Sequence, residues 1–152
     1  MSTEPKTYTT QDYLGKNYLA QESQATYETP RYKRISLIRQ GLPYAALAHF
    51  LKKSGLQQQE LAAIFQVSTR TVQRLNPQAK LSPQMSEKLL ALNDLYQQAQ
   101  EVLGENGPPI TAWLRQPVVA LGNLAPLSLL DTFDGLKEVQ NVLGRLAYGV
   151  YS

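Results

Sequence analysis

Leu136, Val139, Leu143 and Leu146 recur at spacings of three and four, and that period fits one face of a helix and no strand. Asp131, Thr132 and Asp134 offer N-cap side chains just before it, and Gly149 is placed to stop it. Upstream, Leu89, Leu92, Leu95, Tyr96, Ala99, Val102 and Leu103 keep the same period over a longer stretch. Ser82 is its N-cap. Pro83 stands at the first helical position, where a missing N–H costs nothing, and Gly104 ends the run. The expected fold is therefore all-α.

Between these helices, Trp113 to Ser152 sets Pro117, Gly122, Pro126, Gly135 and Gly149 at turn points between short apolar runs. Gly104 to Pro109 is a turn-rich joint, and Ile110 to Arg115 reads as one short helix with Trp113 in the core. The last five residues, Tyr148, Gly149, Val150, Tyr151 and Ser152, carry no charged side chain. Chain ends are normally solvated. An apolar tip either folds back on its own core or docks into a partner.

Residues 42–76 carry a second pattern. Leu42-Pro43 opens a helix with Leu47, Phe50 and Leu51 on one face, and Ser54-Gly55 ends it. A second helix turns Leu61, Ala62 and Phe65 inward. Ser68 caps a third, expected from Thr69 to Asn76, which packs Val72 and Leu75 and is broken by Pro77. Thr69, Arg70, Thr71, Gln73 and Arg74 are left outward. This is helix-turn-helix arithmetic, and the outward residues are hydrogen-bonding types suited to base edges. The expected DNA contacts are Gln58, Ser68, Thr69, Arg70, Thr71, Gln73 and Arg74.

Charge supports that placement. The net charge is +3 over 152 residues. Residues 31–80 hold nine Lys and Arg against Glu60 alone, a net of +8, while residues 1–30 net −2 and residues 81–152 net −3. A basic middle between acidic ends is the footprint of nucleic-acid binding confined to one segment. Arg31, Lys33 and Arg34, on a short strand or irregular lead-in at 31–41, either add phosphate contacts or form a solvated basic face. Residues 1–30, polar with tyrosines at 8, 13, 18 and 27, are expected to be a flexible arm.

Enzyme chemistry finds little support. There is no cysteine, and His49 is the only histidine. No nucleophile–His pair, phosphate-cradling loop or metal-ligand spacing emerges, so no catalytic residue, metal or cofactor is expected. No apolar run suits a membrane helix or signal peptide, and a cytoplasmic protein is expected.

Two resemblances sharpen the reading. Gln59-Glu60-Leu61-Ala62 followed by Val67-Ser68, Arg70, Thr71 and Val72 resembles the Xre group of phage-repressor-like regulators. Trp113-Leu114, Pro117, Leu121-Gly122, Pro126-Leu127, Leu130, Thr132, Gly135, Val139, Leu143 and Tyr148-Gly149-Val150 resemble the C-terminal toxin-binding domain of the Xre/MbcA/ParS antitoxins. The resemblance implies a neighbour-encoded RES-domain toxin that destroys NAD, and a C-terminus that covers its active-site pocket. It implies Arg145, Tyr148, Gly149, Val150, Tyr151 and Ser152 as toxin contacts. It also implies an autorepressor that, alone or with its toxin, binds operator duplex as a dimer or larger assembly. The expected division is an arm at 1–30, a DNA-binding part at 31–80, a connecting helix at 81–104 and a toxin-binding part at 105–152. The competing expectation is a stand-alone regulator whose C-terminal part only dimerises.

Overall fold

The structure is a computed structural model and describes residues 31–149. Within them the chain forms α1 (Arg31–Gln40), α2 (Tyr44–Ser54), α3 (Gln58–Phe65), α4 (Thr69–Gln73), α5 (Pro83–Leu103), α6 (Ile110–Arg115) and α7 (Phe133–Ala147). Two short 3₁₀ turns, Val119–Leu121 and Pro126–Leu129, lie between α6 and α7. The described residues contain no strand; only the isolated bridges Pro43–Lys80 and Val118–Leu124 break the helical pattern.

Local signals set most helix ends. The Ser82 hydroxyl accepts the Met85 N–H at 3.2 Å and starts α5. Thr132 does the same for α7, accepting from Gly135 at 3.0 Å. Gly55 closes α2 in the left-handed conformation at φ 73°. α4 ends at Gln73, short of the expected Asn76, with Arg74 as its cap. Pro77 disfavours the helical conformation at Asn76, whose side chain instead accepts the Gln78 N–H at 2.9 Å in a turn.

α1 corrects the expected strand or lead-in at 31–41. It buries none of its residues. It is tied to α5 by a forked Arg34–Asp94 pair, with nitrogen–oxygen distances of 2.6 and 3.4 Å. A second correction concerns Trp113, which is only partly buried against the core, while its neighbour Leu114 is fully enclosed.

α5 is the element on which the others assemble. Leu89, Leu92, Leu95 and Ala99 are buried along it, between α2 on one side and α6 and α7 on the other. Phe50 and Tyr96 meet edge to face with centroids 5.2 Å apart. The buried apolar residues run in one cluster from Leu42 and Leu47 through α5 to Leu114, Leu130, Val139 and Leu143.

Polar ties follow the same route. The Ser86 hydroxyl, wholly buried, accepts the Leu42 N–H at 2.8 Å. The Lys88 ammonium donates to the Ile64 carbonyl at the end of α3, at 3.0 Å, and to the Asp131 carbonyl before α7. It also lies 5.4 Å from the centre of the Phe133 ring.

Candidate functional site

α3 and α4 form the expected helix-turn-helix pair. Leu61, Ala62, Ile64 and Phe65 hold α3 on the core, and Val72 anchors α4. The turn between them puts Gln66 at φ 57° and returns the Val67 N–H to the Ala62 carbonyl at 3.0 Å. Two of the expected contacts serve the turn itself. The Ser68 hydroxyl accepts the Thr71 N–H at 3.1 Å and lies 2.8 Å from the Thr71 hydroxyl. Thr69 is half-buried, whereas Gln58, Arg70, Gln73 and Arg74 are exposed. Neither Arg70 nor Arg74 has an ion-pair partner among the described residues. Arg34, read from sequence as either a phosphate contact or part of a solvated basic face, is instead paired with Asp94. Burial raises the Asp94 carboxyl above its ordinary range, against the pull of Arg34.

Sequence reasoning left one contact at this face unseen. Arg115, at the end of α6, places its guanidinium fork on the Glu60 carboxylate at 2.8 and 2.9 Å. The same carboxylate accepts the Gln57 N–H at 2.8 Å, capping α3. The hydrogen bond from Arg115 holds Glu60 below the ordinary carboxylate range, despite partial burial, and raises Arg115 in turn. The partners are 55 positions apart, so no local pattern marks them.

The second candidate surface is the end of α7. Leu136, Val139, Val142 and Leu143 face the core. Arg145 and Tyr148 point away from it, and Tyr148 is 88% exposed. Gly149 adopts φ 71° and donates to the Leu146 carbonyl at 3.0 Å, which ends the helix. Gln98, Gln140, Asn141, Gly144, Arg145 and Tyr148 line an open cleft of about 780 Å³ between α5 and α7. The Gln98 amide is fixed by the Gln140 carbonyl at 3.0 Å. The structure thus brings Arg145, Tyr148 and Gly149 together; Val150, Tyr151 and Ser152 lie outside the described residues.

Known proteins match the chain in two stretches. Residues 33–93 match the antitoxin Xre-like helix-turn-helix domain, and residues 98–149 match the antitoxin Xre/MbcA/ParS C-terminal toxin-binding domain. The chain is 30% identical to the Prs ADP-ribosylating antitoxin of Sphingobium sp. (strain YBL2), over 84% of this chain and 86% of that protein. It is 29% identical to an antitoxin Xre of Yersinia enterocolitica over 56% of this chain and 57% of that one. It is 22% identical to an antitoxin Xre of Photorhabdus laumondii over 77% and 80%. A toxin-binding domain favours an antitoxin over a stand-alone regulator. With a helix-turn-helix unit, a long central helix and a toxin-binding unit in that order, the chain belongs to the Xre/MbcA/ParS family of antitoxins, the inhibitory half of a toxin–antitoxin system.

Proposed function

We propose that this antitoxin neutralises a RES-type, NAD-consuming toxin by laying its C-terminal tip over the toxin's active site, and that it represses its own promoter through α3 and α4. The observation that carries the first half is the end of α7. An amphipathic helix held on the core delivers an exposed Arg145 and Tyr148 to its last turn and stops at a left-handed Gly149. Pockets for small ligands are concave and largely apolar with a few polar groups. The Tyr148 and Tyr151 rings suit such a site in area and hydroxyl chemistry, and Gly149 lets the backbone approach closely. The name of the Sphingobium relative carries ADP-ribosylation, and ADP-ribosyl transfer consumes NAD. Most of the interface belongs to the body of residues 113–147, because a few tip residues cannot bury the roughly 1,200 Å² of a stable complex. The carrier of the second half is α4 with its cap, whose exposed Arg70, Gln73 and Arg74 are of the types that read guanine and adenine edges. A symmetric dimer would set two such helices on one operator.

One experiment tests both halves on separate variants. The antitoxin is co-expressed with the toxin encoded beside it, and NAD level, pull-down and promoter shift are read together. Deleting Tyr148 to Ser152 is expected to restore NAD loss while much of the association persists. Full suppression of NAD loss by the truncated chain would refute the tip mechanism. The double change Arg70→Ala, Arg74→Ala is expected to leave neutralisation intact and relieve repression. Each arginine that reads a base contributes about 1–3 kcal/mol at the specific site. Unchanged promoter affinity would remove α4 from the interface.

A further inference from the structure

We propose that Arg115, a residue of the C-terminal half, completes the DNA-binding surface of the N-terminal half by neutralising Glu60. The inference rests on the reading of α3 and α4 as a DNA-binding helix-turn-helix. Glu60 is the single carboxylate in the basic segment 31–80. It stands in the first turn of α3, beside the exposed Gln57, Gln58 and Gln59. In a helix-turn-helix the first helix crosses the phosphate backbone while the second enters the groove. A bare carboxylate in that turn would repel phosphate within a Debye length of about 8 Å.

Its presence has a local cause, since it accepts the Gln57 N–H and starts the helix. Its charge is cancelled from elsewhere. Both oxygens receive nitrogens of the Arg115 guanidinium, at 2.8 and 2.9 Å, and the same guanidinium lies 3.5 Å from the Gly55 carbonyl that precedes α3. Arg115 thereby brings a positive charge from an acidic half of the chain to the start of α3. The segment 31–80 is basic on its own, but the charge at the start of α3 is a property of the two halves joined, and an isolated 31–80 segment would carry Glu60 uncompensated.

A merely structural pair and a neutralising pair make opposite demands on charge. Full-length Arg115→Gln, Glu60→Gln and the double variant are titrated against a duplex of the chain's own promoter and a scrambled duplex of equal length. Thermal unfolding of each checks that it is folded. Arg115→Gln is expected to weaken binding to both duplexes, and Glu60→Gln to strengthen it, each by roughly two- to five-fold, the size of an exposed charge interaction. The double variant is expected to return near the parent. Single variants that shift affinity in the same direction would overturn the proposal and make the pair a packing contact. A double variant as weak as Arg115→Gln would also overturn it, because Arg115 would then act on phosphate without Glu60. Arg70→Ala run alongside separates two failures. If it lowers promoter affinity while the 60 and 115 variants do not move it, the role of the pair is refuted. If none of them moves binding, the helix-turn-helix reading itself falls and takes the proposal with it.

Discussion

Gly135 and Gly144 share one helix and meet opposite surroundings. A methyl group on Gly135, in the first turn of α7, would run into the Leu129 carbonyl and crowd the Leu129 Cβ. A methyl on Gly144 would find only the Gln98 amide, 3.8 Å away. Alanine in an open helix gains up to about 1 kcal/mol over glycine. That gain is available at Gly144 and is outweighed at Gly135, where backbone has to move. Gly144→Ala is expected to hold or raise the thermal midpoint. Gly135→Ala is expected to lower it by the equivalent of about 1–3 kcal/mol, the range of ordinary destabilising changes. Unfolding followed by circular dichroism checks both, and a Gly135→Ala protein as stable as the parent would show that the 3₁₀ turn before α7 yields freely.

Among the described residues, the ion pairs Glu60–Arg115 and Asp94–Arg34 join elements and respond to acid with opposite sign. Glu60, between α3 and α6, is held below its ordinary value of 4.5, so its contribution is complete above that value and is lost as pH falls through the lowered native one. Asp94, between α1 and α5, is raised above its ordinary value of 3.8 by burial. Its ionised form is disfavoured in the folded chain, so stability rises as pH falls through the raised native value and levels off near the ordinary one. Asp94→Asn is expected to remove a gain on mild acidification, and Glu60→Gln to remove a loss at lower pH. Thermal midpoints at pH 7, 5 and 3 distinguish them; parallel curves for parent and variants would refute both assignments. The same two pairs mark the limit of what sequence could say about elements. The ends of α2, α5 and α7 were legible because Gly55, Ser82 and Thr132 act within four residues of where they stand. The helix-turn-helix was legible for the same reason, through Ser68 and the spacing of Leu61, Phe65 and Val72. α1 was not, since nothing on it is fully buried and its seat depends on Ile38 packing against the core and on Arg34 pairing with Asp94, 60 positions away. Periodicity also could not choose between Trp113 and Leu114 for the enclosed position, which the packing of α6 against α5 and the 3₁₀ turn Pro126–Leu129 decides.

The whole molecule, over its described residues, has one apolar cluster that α5 threads from end to end. Leu47, on α2, and Leu114, on α6, are both essentially inaccessible to solvent. Truncating either to alanine costs about 2–5 kcal/mol in a well-packed core, a large share of the 5–15 kcal/mol that holds a typical domain together. Trp113 is the only tryptophan and reports on the C-terminal half, while far-UV circular dichroism reports on all helices. Leu47→Ala is expected to lower both transitions together, although the substitution lies in the N-terminal half. Transitions that separate would mean two independent folding units. A shared core also bears on how such a chain is removed from a cell. A protease that opens the joint at Gly104 to Pro109 frees no autonomous helix-turn-helix unit, because α5 would be left with its buried apolar residues stripped of the packing of α6 and α7. Turnover is then all or none: one degradation event withdraws toxin binding and the proposed repression at the same moment, and the two share a single lifetime.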